Sequence, residues 1–264
     1  MTAAGNPERA AIGRDELDTA IAAGTPIVAR LFAADLALED IDARDMRFEN
    51  CAFRTPLFHG VDFSGATFAG CSFAAMRFAS CSFVDAHFDK CMFFDVESRK
   101  GCTFAACEMR AAQMTACNFA DAAFERCDLY ALKASECSFR GARFRGSHFD
   151  RRFSKKVVLA SAAFETCNLS FADLSGMVLK ACTLRNCKFS ETIFWDADLT
   201  DAVLTGSQID RAEWDRARLS GADLAGATIS GLSLALLADY AGMIVSQSQM
   251  YELLHEIGVD VRPD

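Results

Sequence analysis

The chain has 264 residues, with 36 acidic and 27 basic side chains for a net charge of −9, and 52% of it is hydrophobic, including 23 Phe and 12 Cys. That much apolar material excludes a globally disordered chain. No apolar run approaches the roughly 18 to 20 uninterrupted residues of a membrane-crossing helix, and the first 14 residues lack the apolar core of a signal peptide, so the expectation is a cytoplasmic protein with no membrane partner.

Residues 15–32 (DELDTAIAAGTPIVARLF) predict a short helix interrupted near Gly24 and Pro26. With the tail before it, this forms an N-terminal cap over 1–33, followed by weak repeats at Leu36 and Ile41. From Phe48 a large apolar residue returns at every fifth position to Phe93; after a spacing of eleven the rhythm resumes at Phe104 and holds to Leu234. Of the 37 slots, 35 carry Phe, Leu, Ile, Met or Trp, the exceptions being Ala134 and Ser154. Neither a helix near 3.6 nor a half-buried strand at 2.0 produces that period. Two positions before each centre the residue is small or medium, and all twelve cysteines fall there. Two positions after it Gly is frequent, as in Ser64-Gly65 and Ser220-Gly221, which supplies the positive φ of a tight turn. Each pentapeptide is therefore a short extended piece and a corner.

This pattern resembles the pentapeptide-repeat family. The resemblance implies an all-β solenoid over residues 34–234, a right-handed quadrilateral β-helix with four pentapeptides per coil. About nine coils at the ~4.8 Å spacing of paired strands give a rod of roughly 45 Å, with short helical caps at both ends and no interior pocket.

The cysteines read as reduced core residues, since no C-x-x-C pair or His column accompanies them; no metal and no cofactor is expected. His59, His87, His148 and His255 are scattered, so no nucleophile, base and orienting group can be assembled, and an enzyme is not expected. Outward charges 20 residues apart should stack on neighbouring coils: Glu125, Arg145, Glu165 and Arg185 as one alternating ladder, then Glu191 with Arg211, Asp196 with Arg216 and Asp198 with Arg218. Residues 48–234 hold 22 acids and 21 bases, so the rod is near neutral. Basic charge gathers at Arg140, Arg143, Arg145, Arg151, Arg152, Lys155 and Lys156, and acids without a stacked base gather at Asp201, Asp210, Glu213 and Asp215. Without a basic excess or outward aromatic platforms, direct nucleic-acid binding is not expected.

Two interruptions mark candidate loops. Residues 94–101 add one residue to the register, and 150–158 preserve the count while Ser154 replaces the apolar centre. At the C-terminus, 235–264, the capping-box pattern Ser246-x-x-Gln249 opens a helix that places Met250, Leu253, Leu254 and Ile257 on one face before Gly258. That stripe either covers the last coil or forms a two-fold dimer.

Here the likeness narrows. Phe93-x-Asp95-x-Glu97-Ser98-x-Lys100-Gly101-Cys102-x-Phe104 is similar to the first projecting loop of Qnr-type topoisomerase-protecting proteins, Asn168-Leu169-Ser170-Phe171-Ala172 to their segment beyond the second loop, and Gln249-x-x-x-Leu253-Leu254 followed by Ile257-Gly258-Val259 to their dimerisation helix. The resemblance implies a non-enzymatic homodimer that binds DNA gyrase or topoisomerase IV, by partial DNA mimicry, and protects it from quinolone-like poisons. Asp95, Glu97, Ser98, Arg99, Lys100, Arg151, Arg152, Phe153, Lys155 and Lys156 would be its partner-binding loop residues. The alternative is a generic interaction scaffold for another protein.

Overall fold

The structure, a computed structural model, describes residues 9–154 and 158–260. It is a β-solenoid of about nine turns. The five-residue period follows from the hydrogen bonding. The residue before each centre donates its N–H to the preceding coil and the centre donates to the following one, as in Asp62 N to Ile41 O (2.9 Å) and Phe63 N to Ser82 O (2.8 Å). The corner residue adds a third bond, Gly65 N to Val84 O at 2.8 Å. Most corners are not glycine: Ala116, Asp121, Arg126 and Ala131 in succession have φ between 51° and 62°. A left-handed L-residue costs about 1–2 kcal/mol, and the ladder bonds hold it there.

Coils are counted from the one that starts at Phe32, and faces from the one carrying Phe53. Centres then stack on their counterparts one coil away. On the first face Phe53, Phe73, Phe93 and Phe119 follow one another with ring centroids 4.6, 4.4 and 4.3 Å apart and near-parallel planes. The second face carries Phe58, Phe78, Phe104 and Phe124 in parallel strands. The third carries Phe63 and Phe83, and the fourth runs as an eight-stranded parallel sheet from Ile27 to Leu184. Seven cysteines, from Cys51 to Cys187, take one inner position in successive coils, joined by bonds such as Cys91 N to Cys117 Sγ (3.4 Å). Burial pushes the Cys102 thiol up to about 12 and the Cys182 thiol up to about 11. All twelve cysteines are buried and unpaired as disulfides.

The irregular slots have packing reasons. Ala134 stacks between Met114 and Phe164, and Leu132, two residues before it on the same strand, fills the usually small inward position, so large and small have exchanged places while both stay buried. The same exchange corrects the expected start of the repeat: Leu38 pairs with Phe58 as the centre, and Ile41 occupies the minor inward position beside Ala43. Leu36 and Ile41 are thus two residues out of the expected register.

Pairing also reaches past the repeat at both ends. Ile27 pairs with Phe48, Ala10 with Arg30, and at the far end Asp223 bridges Ile244. Helix α1 (Arg14–Ala23) ends at Gly24, and its Leu17 is buried in the core at the first coil. Helix α2 (Gln247–Glu256) covers the last. No helix among the described residues is long and apolar enough to cross a membrane.

Candidate functional site

Two antiparallel hairpins leave an otherwise parallel rod. In the first, Phe94 pairs with Gly101 and Asp95 with Lys100. Phe78 stacks on Phe104, 26 positions on rather than 20, so the insertion is six residues, one pentapeptide more than the single extra residue visible in the register. Asp95 organises the tip: it accepts from the Ser98 hydroxyl at 2.5 Å and from the Ser98 and Glu97 N–H groups at 3.3 Å. The Ser98 bond, foremost, holds its carboxyl below the usual range. Val96, Glu97, Ser98, Arg99 and Lys100 are exposed.

In the second hairpin Asp150 pairs with Ala160, Arg151 with Leu159 and Arg152 with Val158. Ser138 bridges Asn168 across 30 positions, so ten residues are looped out. The count was preserved because ten is two repeats, and Ser154 and Leu159 lie outside the core as exposed residues. Phe153 is 65% exposed, the Arg151 guanidinium lies 4.8 Å from the Tyr130 ring centroid, and Arg152 Nε reaches Asp150 at 3.4 Å. Lys155 and Lys156 lie outside the described residues. The first hairpin leaves between the first and second faces at coil four. The second leaves between the third and fourth faces at coil six, diagonally opposite and two coils, ~10 Å, along the rod.

This insertion corrects the proposed four-membered charge ladder. Glu165 stacks on Ser135 and Arg185, so Arg145 and Glu165 are not neighbours. Glu125 instead pairs with Arg77 at 3.6 Å. Of the later pairs, Glu191–Arg211 (3.1 Å) and Asp196–Arg216 (2.6 Å) form, whereas Asp198 pairs with Lys180 at 3.1 Å. Asp198 and Arg218 stack without an ion pair among the described residues.

The four acids do not form one patch. Asp210, Glu213 and Asp215 share coil nine around the edge of the first and second faces, while Asp201 is a corner residue between the third and fourth faces, φ 57°. Its carboxylate lies over Gly221 of the next coil, filling the volume that a side chain there would need.

The C-terminal stripe also divides. Leu253 is buried against the rod core, Leu254 is half-buried, and Met250 and Ile257 are 40% and 52% exposed. Buried Gln249, which the helical pattern marked only as a cap, accepts from Ser246 N–H at 2.6 Å and donates through Nε2 to Leu224 and Ala227 carbonyls, both at 2.7 Å. Exposed Leu236, Tyr240, Ile244 and Tyr251 extend the apolar surface at this end.

The architecture defines a square parallel solenoid built from pentapeptides, decorated by two hairpins. The family model described as Pentapeptide repeats matches eight copies over residues 57–93, 107–146 and 167–206, and its two gaps contain the hairpins. These segments are pentapeptide repeats, and the fold is the pentapeptide-repeat β-helix. No curated protein sequence matches it. Among solved structures it is similar to full-length QnrB1, a plasmid-mediated fluoroquinolone resistance protein, at 23% identity and a TM-score of 0.62, covering 89% of this chain and 97% of that one. A trypsin-treated form of QnrB1 gives the same identity and score over 90% and 99%. HetL, a pentapeptide repeat protein involved in heterocyst differentiation regulation in the cyanobacterium Nostoc, is 16% identical with a TM-score of 0.54, covering 88% and 92%. At these identities the likeness is one of fold.

Proposed function

We propose that the protein is a non-enzymatic protector of type II topoisomerase, binding DNA gyrase or topoisomerase IV and shielding it from quinolone-like poisons. The observation that carries the reading is the pair of hairpins with exposed tips on the fold shared with QnrB1, a fluoroquinolone resistance protein. A parallel rod whose core is filled offers a partner only flat faces; hairpins supply projections that can enter a cleft. Asp95, Glu97, Ser98, Arg99 and Lys100 on one, and Arg151, Arg152 and Phe153 on the other, are the contact residues in this reading. Dimerisation through the C-terminal end uses Met250 and Ile257 with their exposed apolar neighbours, and Leu253 anchors the helix to its own rod. Rod acids contribute partial DNA mimicry through Asp210, Glu213 and Asp215.

The second reading, an interaction scaffold for a different protein, is favoured by the HetL-like fold and by the near-neutral rod. A gyrase supercoiling assay with a quinolone separates the two. Protection returns supercoiled product in proportion to added protein, whereas a scaffold for another partner leaves the poisoned reaction unchanged.

A further inference from the structure

The second face of the rod and its edge carry a charge order of which the roles above use only the acids Asp210, Glu213 and Asp215, leaving the arginines without a part. Arg143 and Arg145 flank its centre at coil six, Asp173 and Ser175 at coil seven, Ile193 and Trp195 at coil eight, and Glu213 and Asp215 at coil nine. At the adjoining edge, Arg140 belongs to coil six and Asp210 to coil nine. The three arginines are exposed, and none of these seven charges, Asp173 included, makes an ion pair among the described residues. Arg140 lies over the ring of Phe171 at 4.7 Å, and the Asp210 carboxylate accepts from the Thr228 hydroxyl at 2.8 Å. Between the two charged zones, Phe171 and Trp195 are 45% and 43% exposed. Phe171 is held outward with φ 63°, a corner conformation costly for a bulky side chain.

We infer that this face binds the same face of a second copy, the two rods running antiparallel about a two-fold axis that lies along the strands between coils seven and eight. That operation keeps each position along the strand and exchanges coil six with nine and seven with eight. It sets Arg140 against Asp210, Arg143 against Glu213 and Arg145 against Asp215, each twice over, and lays Trp195 on Ser175 and Ile193 on Asp173 of the second copy. The parallel alternative sets Arg143 against Arg145 of the other copy, so charge selects the antiparallel arrangement. Aromatic anchors at the centre with complementary charges outside are the composition of a protein interface. Coils six to nine span only ~14 Å along the rod, so the area falls short of a standard interface of about 800 Å² per partner. The association is therefore weak, concentration-dependent and sensitive to salt.

The test is a short bis-maleimide cross-link between copies of Ser175→Cys, with Thr200→Cys on the third face as control; the twelve native cysteines are buried. At low salt, Ser175→Cys cross-links about tenfold more than the control, R143E/R145E reduces it to the control level, and adding E213R/D215R restores it. M250E/I257E, which removes the C-terminal dimer surface, leaves the cross-link in place, so this contact and the proposed dimerisation fail separately. Equal cross-linking of Ser175→Cys and Thr200→Cys overturns the inference, as does failure of the reciprocal reversal to restore it. Loss of gyrase protection by R143E/R145E, when Ser175→Cys in the otherwise wild-type chain gives no cross-link above the control, assigns the face to another protein and likewise overturns it.

Discussion

Replacing Gly221 with Ala tests what Asp201 does, because the same acid can be read as a partner contact or as part of a corner. Gly221 has φ +66°, and a Cβ there would stand 2.2 Å from Asp201 Oδ1 and 3.3 Å from its Cγ. Gly176 has φ +69° with no atom within 4 Å of the same position. Both substitutions place Ala in the left-handed region at a cost of about 1–2 kcal/mol. Only Gly221→Ala must also turn the Asp201 carboxylate away, a coupling on the order of 0.5–3 kcal/mol for residues in contact. Urea unfolding followed by circular dichroism at one protein concentration should rank wild type above Gly176→Ala and Gly176→Ala above Gly221→Ala. Asp201→Ala should bring Gly221→Ala back to the level of Gly176→Ala. If Gly221→Ala costs no more than Gly176→Ala, or is indifferent to Asp201→Ala, the carboxylate does not belong to the corner and the stacking account is refuted.

The buried thiols should resist labelling until denaturant is added, and more than two fast-reacting sites in native protein would contradict the core placement. Because Cys102 and Cys182 keep their protons to about pH 12 and 11 in the fold but ionise near 9 once unfolded, their contribution is intact below pH 9 and is lost as pH rises through that window. Unfolding midpoints should therefore fall from pH 9 upward, and less steeply in Cys102→Ala; a flat profile would count against it. Gln249→Ala, which removes the side-chain donor to the Ala227 carbonyl and leaves the Leu224 carbonyl with the Ala227 N–H, should cost about 1–3 kcal/mol without changing the oligomer. M250E/I257E should instead give a smaller sedimenting species at equal stability, and a reversed pattern would show that the helix does not divide into an anchoring and an outward side.

The period of five was legible because each centre must be large and each partner position small, a rule the core enforces at almost every corner. What the sequence hid were exchanges that conserve volume or count. Ile41 looked like a centre because it is the larger of an inverted pair with Ala43, and Leu132 with Ala134 repeats the inversion. A ten-residue excursion is two periods, so Arg145 and Glu165 kept their spacing of 20 while losing contact. Leu253 and Met250 share a helical stripe, yet only the position of the last coil decides which is buried. Corner geometry was underestimated from glycine alone, since stacked hydrogen bonds place Ala, Asp and Arg at positive φ.

The most direct measurement is protection of gyrase by a rod stripped of its projections. Removing residues 95–100 leaves Phe93, Phe94, Gly101 and Cys102 in the order of an ordinary corner, and removing 151–160 does the same for Phe149, Asp150, Ser161 and Ala162. Both deletions restore 20-residue coils, so circular dichroism and the urea midpoint should match wild type. In a quinolone-poisoned supercoiling assay the wild-type protein should restore product, and the doubly deleted rod should not. Equal rescue by the stripped rod would contradict the role of the hairpins, and no rescue of gyrase or topoisomerase IV by the wild-type protein would contradict protection itself.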